Sequence, residues 1–211
     1  MHFGIAEEYE TIRAEVRRLC DRFGTDYWRG LEPDRYPDEF VGELTRGGYL
    51  GALIPEQYGG GGLPLAGACV ILEELAASRG NPAACHAQMY VMGTLLRHGS
   101  DEQKARYLPA IAGGDLRLQA FAVTEPAAGS ETTRIRTRAE RTADGWRING
   151  QKIWTSRALH SDLMIVLART TPYDEVRNKT DGMSVFLVDL REAKGVTIRP
   201  IATMINHSTT E

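Results

Sequence analysis

Phe121-Ala122-Val123-Thr124-Glu125-Pro126-Ala127-Ala128-Gly129-Ser130-Glu131 changes character halfway along. Its first residues continue the alternation of a strand expected from Leu116 to Thr124, and a loop of small residues follows Pro126. Such a loop exposes backbone N–H groups and lets a ligand approach the main chain closely. Thr124 and Ser130 add hydroxyls. An ordinary turn at a strand end has no need of so many small residues. The chain before this segment has helical periodicity, and the chain after it has strand periodicity.

Upstream, Ile5, Tyr9, Ile12, Val16, Leu19 and Phe23 step by three and four residues, the stripe of one amphipathic helix stopped by Gly24. Pro37 suits a first helical residue, with Asp38 and Glu39 complementing the helix dipole and Phe40, Val41 and Leu44 facing inward before Gly47 and Gly48. A third helix is expected over Leu65 to Ser78, with Cys69, Leu72, Leu75 and Ala76 inward, and a fourth over His86 to His98. Ser100 and Gln103 have capping-box spacing for a fifth, which Pro109 is expected to break or kink before Gly113 and Gly114.

Downstream, Arg134, Arg136 and Arg138 alternate with Ile135, Thr137 and Ala139, a strand with one charged face. That face reads as solvated rather than as a phosphate site. Asp144-Gly145 and Asn149-Gly150 are tight-turn signals between strands. Leu163 to Ala168 and Met183 to Leu190 are apolar strands, joined by the polar loop Thr170 to Asp181. Helices followed by strands predict an α+β chain: an all-helical domain over residues 1–115, then an antiparallel β-domain of barrel or sandwich type over 116–211.

The glycine run Gly59 to Gly62 lacks the lysine and hydroxyl residue of a P-loop, and no strand leads into it. It reads as a flexible connector between helices. No dinucleotide fingerprint of spaced glycines is present. Trp146, beside a hairpin turn, reads as a core aromatic. The net charge of −3 gives no reason to expect nucleic acid or an acidic membrane as partner, and no apolar run is long enough for membrane insertion. Cys20, Cys69 and Cys85 are odd in number and far apart, which argues for a reducing, cytoplasmic setting without a disulfide framework. His2, His86, His98, His160 and His207 have no metal-ligand spacing, so no metal is expected. The N-terminus is polar and does not read as a targeting peptide.

Val123 to Ser130, Val-Thr-Glu-Pro-x-x-Gly-Ser, and Asn149 to Ser156, Asn-Gly-Gln-Lys-x-Trp-x-Ser, resemble the middle domain of acyl-CoA dehydrogenases. The helical half is similar to that family too, at Leu53-Ile54-Pro55-Glu56-Gln57-Tyr58-Gly59-Gly60 and at Gly99-Ser100-Asp101-Glu102-Gln103-Lys104 through Tyr107-Leu108-Pro109. Glu131 stands where the family usually has aspartate, and Phe121 where relatives often carry tyrosine.

The resemblance implies FAD as cofactor and α,β-dehydrogenation of an acyl-CoA thioester, with an electron-transferring flavoprotein as acceptor and a homo-oligomer in the full-length enzyme. It implies that Phe121, Ala122, Val123 and Thr124 lie along the flavin ring and that Gly129 and Ser130 continue the site. Ser130 is further implied to contact the acyl-CoA substrate near its phosphates. Trp154 is implied to pack on the ring, Thr155 to belong to the same contact segment, and Ser156 to bring its hydroxyl near flavin N5. The family's catalytic base is usually a glutamate in a C-terminal helical domain, which this chain is expected to lack; Ile205 to Glu211 reads as an interrupted middle domain. No catalytic residue is therefore assigned, Glu125 is read as structural, and the 211 residues alone are expected to be inactive. An acyl-CoA oxidase or flavin monooxygenase on the same scaffold, or a non-catalytic subunit needing a partner chain, are the alternatives.

Overall fold

The computed structural model describes residues 7–32, 35–78, 80–203 and 209–210, and for residues 7, 8, 209 and 210 the backbone alone. Ile5, His2, His207 and the segment 204–208 lie outside the described residues, as does Glu211. The chain divides into two compact units, Met1–Arg117 and Leu118–Glu211.

The first unit is helical: α1 (Glu7–Cys20), α2 (Thr25–Gly30), α3 (Asp38–Arg46), α4 (Leu65–Ala77), α5 (Ala83–His98) and α6 (Asp101–Gly113). From the sequence stripe of α1, Val16 enters a core shared with Phe40, Leu44, Ile71 and Leu75, and Cys20, outside the stripe, joins it. Gly24 does not simply stop that helix; it is the N-cap of α2, a short helix the periodicity does not announce. There Phe23, Tyr27, Trp28 and Phe40 meet edge to face with centroids 4.8–5.1 Å apart.

Three expectations are corrected in this unit. On α4, Cys69 and Ala76 are exposed, and the inward face is Gly67, Ala68, Val70, Ile71, Glu74 and Leu75. Glu74 can be buried because Arg17 reaches it at 2.9 Å and Arg13 at 3.5 Å, while Ser78 Oγ donates at 3.0 Å. Pro109 does not break α6, which continues to Gly113; the fully buried Leu108 and Ile111 hold the turns on either side of it. The glycine run is not a loose connector: the amides of Gly61, Gly62 and Leu63 donate to the carbonyls of Gly51, Ile54 and Ala52 at 3.2, 2.8 and 2.8 Å. A Cβ at Gly60 would overlap the Ile54 carbonyl, so glycine is required there for close approach.

The capping box of α6 forms as its spacing predicts. Ser100 Oγ accepts from the Gln103 amide at 3.1 Å, and Gln103 Oε1 accepts from the Ser100 amide at 2.9 Å. Ser100→Ala should cost about 1 kcal/mol. A urea unfolding curve indistinguishable from that of the parent protein would show that the box is redundant.

The second unit is built from β1 (Leu118–Ala122), β2 (Arg138–Thr142), β3 (Gly145–Asn149), β4 (Thr155–Ser156), β5 (Leu163–Arg169), β6 (Met183–Asp189) and β7 (Thr209–Thr210). The central strand is β5. Along its whole length β6 pairs antiparallel, Leu163 with Asp189 through Arg169 with Met183. Its other edge is shared by β1, parallel with Ala122 opposite Val166, and by β2, parallel at Arg138 opposite Arg169. The β2–β3 hairpin turns at Ala143-Asp144, with Thr142 opposite Gly145. Asn149-Gly150 leads out of β3 into an irregular segment rather than into a second hairpin.

The sheet is therefore mixed, not antiparallel, and no closed ring of strands forms among the described residues. The physical reason is the long excursion between β1 and β5, which returns the chain alongside β1 in the same direction. Leu118, Ala120, Leu163 and Ile165 form the buried middle. The arginine alternation holds as burial, since Ile135, Thr137 and Ala139 are inward and Arg134, Arg136 and Arg138 outward. Ladder pairing, however, begins only at Arg138.

Candidate functional site

At the end of β1 the chain turns through Glu125-Pro126-Ala127-Ala128, closed by mutual amide-to-carbonyl bonds of Glu125 and Ala128 at 3.0 and 3.1 Å. Pro126 and Ala127 project outward, whereas the Glu125 side chain is only 6% exposed. Its carboxylate accepts from the Arg136 amide at 2.6 Å, the Thr137 amide at 2.8 Å and Lys152 Nζ at 2.9 Å. Lys152 Nζ also donates to the Val123 carbonyl at 2.9 Å, and the Ile153 amide donates to the Thr124 carbonyl at 2.9 Å. These bonds join the two motif segments, 121–130 and 149–156.

Burial alone would push the Glu125 carboxyl up. Hydrogen bonds from Thr137, the Arg136 amide and Lys152 outweigh it and hold the group below the ordinary carboxylate range. Burial lowers the Lys152 ammonium, opposed by Glu125. A carboxyl depressed in the folded state stabilises above its unfolded value, near pH 4.3, and loses that contribution as pH falls through the folded value. Lowering the pH from about 5 to 3 should therefore weaken the strand unit, and Glu125→Gln should flatten that slope. Urea midpoints followed by tryptophan emission at both pH values measure this; equal slopes for parent and variant would remove Glu125 as the titrating group.

Next to this network lie the residues singled out by sequence. Phe121 is 39% exposed and points to the sheet face opposite Ala122, which is buried. Val123 and Thr124 are half-buried. No hydrogen bond from the Thr124 amide occurs among the described residues. Trp154 is 55% exposed and sits at φ 63°, in the left-handed region that a bulky side chain rarely occupies. Arg157 is also left-handed, at φ 62°. Between them Thr155 is buried and Ser156 half-buried in β4, which lies against β1. Gly129 and Ser130 are exposed beyond the turn, and a side chain at Gly129 would meet nothing within 4 Å. The structure thus brings 121–124 and 154–156 together and leaves Gly129-Ser130 on the adjoining open loop.

A cavity of about 420 Å³ opens on the other face of the sheet, lined by Ala122, Lys152, Thr155, Met164, Val166 and Val188. Phe121, Thr124 and Trp154 do not line it. Trp146 also lines it, whereas the exposed Phe121 and Trp154 and the open Thr124 amide lie outside this space, so the surface that they form is the candidate for a planar ligand. Trp146, read as a core aromatic, is 45% exposed and meets Phe186 at 5.4 Å. Glu131 is engaged by Arg134 at 2.8 Å and Lys179 at 3.6 Å.

Two residues of the site have no assigned part in the sequence reading. Lys152 stands inside the second motif, but a lone lysine after a turn carries no sign of burial. Arg169 ends β5 at 3% exposure and donates to the carbonyls of Ile135 at 3.2 Å, Asp181 at 3.1 Å, Lys179 at 3.1 Å and Thr133. Its guanidinium also lies 5.1 Å from the Tyr173 ring centre. It anchors the chain just after Ser130. The only signal available was a cation closing an otherwise apolar strand.

Residues 6–115 match the model of the acyl-CoA dehydrogenase N-terminal domain, and residues 120–211 match that of the middle domain. The chain belongs to the acyl-CoA dehydrogenase family. It is 34% identical over 194 residues to (2S)-methylsuccinyl-CoA dehydrogenase of Cereibacter sphaeroides, covering 88% of this chain and 34% of that protein. It is 30% identical over 217 residues to glutaryl-CoA dehydrogenase of Desulfococcus multivorans, covering 99% of this chain and 54% of that one. The crystal structure of an acyl-CoA dehydrogenase from Geobacillus kaustophilus superimposes with a TM-score of 0.89 at 27% identity, over 100% of this chain and 56% of the other. The chain spans about half or less of the curated relatives it matches. No helix among the described residues is long and apolar enough to cross a membrane.

Proposed function

We propose that this chain is the flavin- and thioester-holding portion of an FAD-dependent acyl-CoA dehydrogenase, with residues 1–115 and 116–211 as its two domains. The observation that carries the reading is the joining of segments 121–124 and 154–156 into one surface with an exposed indole and an open amide. That surface fits a flavin: an aromatic face for the ring, and N–H and hydroxyl donors for its polar edge. Family membership supports FAD as the cofactor, which supplies hydride acceptance when bound. Phe121, Ala122, Val123 and Thr124 would line the ring, Trp154 would pack on it, and Thr155 and Ser156 would complete the contact. The Thr124 amide would face negative charge on the ring, and Ser156 would place a hydroxyl beside it.

Gly129 and Ser130 would meet the phosphate-bearing arm of the acyl-CoA, a role that the exposure of this loop supports. Both named relatives act on CoA thioesters, which supports that substrate class. An electron-transferring flavoprotein as acceptor, a homo-oligomeric enzyme and a cytoplasmic setting complete the proposal. Glu125 and Glu131 are both engaged and are not offered as the base, so the 211 residues alone are expected not to turn over.

Titrating FAD into the protein and following flavin fluorescence tests the reading; no saturable quenching would overturn it. Titrating an acyl-CoA into the loaded protein then tests Ser130. Ser130→Ala removes one hydrogen bond to a charged group, so acyl-CoA should bind roughly tenfold or more weakly while FAD affinity holds. An unaltered acyl-CoA dissociation constant would take Ser130 out of the site.

A further inference from the structure

The geometry points to Lys152 as a positioning residue that aims the Thr124 amide at the flavin, acting through the Val123 carbonyl. The inference rests on the proposed flavin surface and adds a residue to it. In a trans peptide the carbonyl and the following N–H point to opposite sides. Lys152 Nζ holds the Val123 oxygen at 2.9 Å, so the N–H of the same peptide, that of Thr124, is turned away from Lys152. The next peptide is fixed as well, because the Thr124 oxygen accepts from the Ile153 amide at 2.9 Å. Thr124 is thus clamped on both sides while its own amide keeps no partner among the described residues. A polar backbone donor held in place and left open is what a ligand oxygen or nitrogen requires.

The ammonium is fixed in turn. Its second bond goes to Glu125 Oε1 at 2.9 Å, and the same oxygen accepts from the Thr137 amide at 2.8 Å while Oε2 accepts from the Arg136 amide at 2.6 Å. With side chains only 10% and 6% exposed, neither Lys152 nor Glu125 can swing into solvent without breaking several bonds. Lys152 therefore does more than neutralise Glu125, because one of its protons is spent on a main-chain oxygen one peptide away from the proposed contact. Its positive charge lies behind that peptide and reinforces the polarity of the outward N–H. A reduced, negatively charged flavin gains more from this than the oxidised ring does.

Lys152→Met and Lys152→Arg in the FAD-loaded protein separate positioning from mere support. Lys152→Met should raise the FAD dissociation constant at least tenfold. At saturating FAD it should cost the reduced flavin about tenfold more affinity than the oxidised form, a drop of about 30 mV in the two-electron midpoint potential. Lys152→Arg, which keeps a charged multiple donor, should recover most of both changes. If affinity falls but the potential at saturating FAD stays at the parent value, Lys152 is only structural and the inference is overturned. Should Lys152→Met not fold, amide exchange in the parent protein decides: Thr124 should exchange freely without FAD and become protected with it. Protection that is already present without FAD and unchanged by it would overturn the inference. Failure of the parent protein to bind FAD would instead refute the proposed flavin site itself.

Discussion

Replacing Arg169 with methionine is expected to destabilise the strand unit by about 3 kcal/mol, roughly a hundredfold in the folded-to-unfolded ratio. Methionine keeps the length and loses all the donors. Four carbonyls, those of Ile135, Thr133, Asp181 and Lys179, then lose a charged partner at once. Each such bond contributes about 1.5–3 kcal/mol, and relief of the cost of burying the cation offsets part of the sum. No ion pair of Arg169 occurs among the described residues, so removing it strands no carboxylate. Arg169→Lys should recover only a minor part, because one ammonium cannot reach donors spread across the fork of a guanidinium. Urea unfolding followed by tryptophan emission checks both variants, since Trp146 and Trp154 belong to this unit. A loss under 1 kcal/mol for Arg169→Met would mean that these carbonyls find other partners. Because the Thr133 and Ile135 carbonyls belong to the loop that follows Ser130, the same variant should also weaken acyl-CoA binding under conditions where it remains folded.

Arg169 also marks the limit of what the sequence makes legible. Apolar spacing placed α1 and α3 because each buries one face, and periodicity reports burial directly, whereas α5 starts at Ala83, three residues before the expected His86. The inward face of α4 was legible only in part. Its polar inward member, Glu74, is compensated by Arg13 and Arg17 sixty residues earlier in the chain, and no local pattern reveals a partner that distant. Pro109 and the glycine run were misread for a related reason. Local propensity points to a break or a flexible joint, whereas burial of Leu108 and Ile111 and the amides bonded to residues 51–54 override it. Strand existence was likewise legible, while strand direction was not. Alternation is the same in parallel and antiparallel ladders, and the parallel pairing of β1 with β5 is set by the path between them.

For the site, residues 121–124 and 154–156 do gather where β1 and β4 meet, because each is a short run of adjacent residues, whereas Gly129 and Ser130 stay on the open loop beyond. The ties between those segments were not legible. Lys152 and Glu125 are each charged residues next to turns, and only the structure shows them facing one another in the interior. The burial of Arg169 follows from a carbonyl cage assembled from two separate stretches of chain, 133–135 and 179–181.

Trp154→Gly should affect the apoprotein and the FAD complex in opposite directions. Trp154 holds φ 63°, a conformation that costs a non-glycine residue about 1–2 kcal/mol. With the residue 55% exposed, burial recovers little of that cost. The position persists because its neighbours fix it: Ile153 is bonded to the Thr124 carbonyl, Lys152 to the Val123 carbonyl, and Thr155-Ser156 to β7. A strained, exposed indole is poorly explained by folding and well explained by a planar ligand that covers it. Glycine relieves the left-handed strain, partly offset by its larger entropy in the unfolded chain. The apoprotein should therefore stay within about 1 kcal/mol of the parent, or become slightly more stable. Loss of the ring contact should weaken FAD by about 2 kcal/mol, roughly thirtyfold. Trp154→Ala should lose the same affinity while keeping the backbone strain, so the glycine variant should be the more stable of the two. Thermal unfolding without FAD and fluorescence titration with FAD provide the two readouts. A glycine variant that unfolds well below the parent yet binds FAD equally well would make Trp154 a packing residue and leave the flavin surface without its aromatic face.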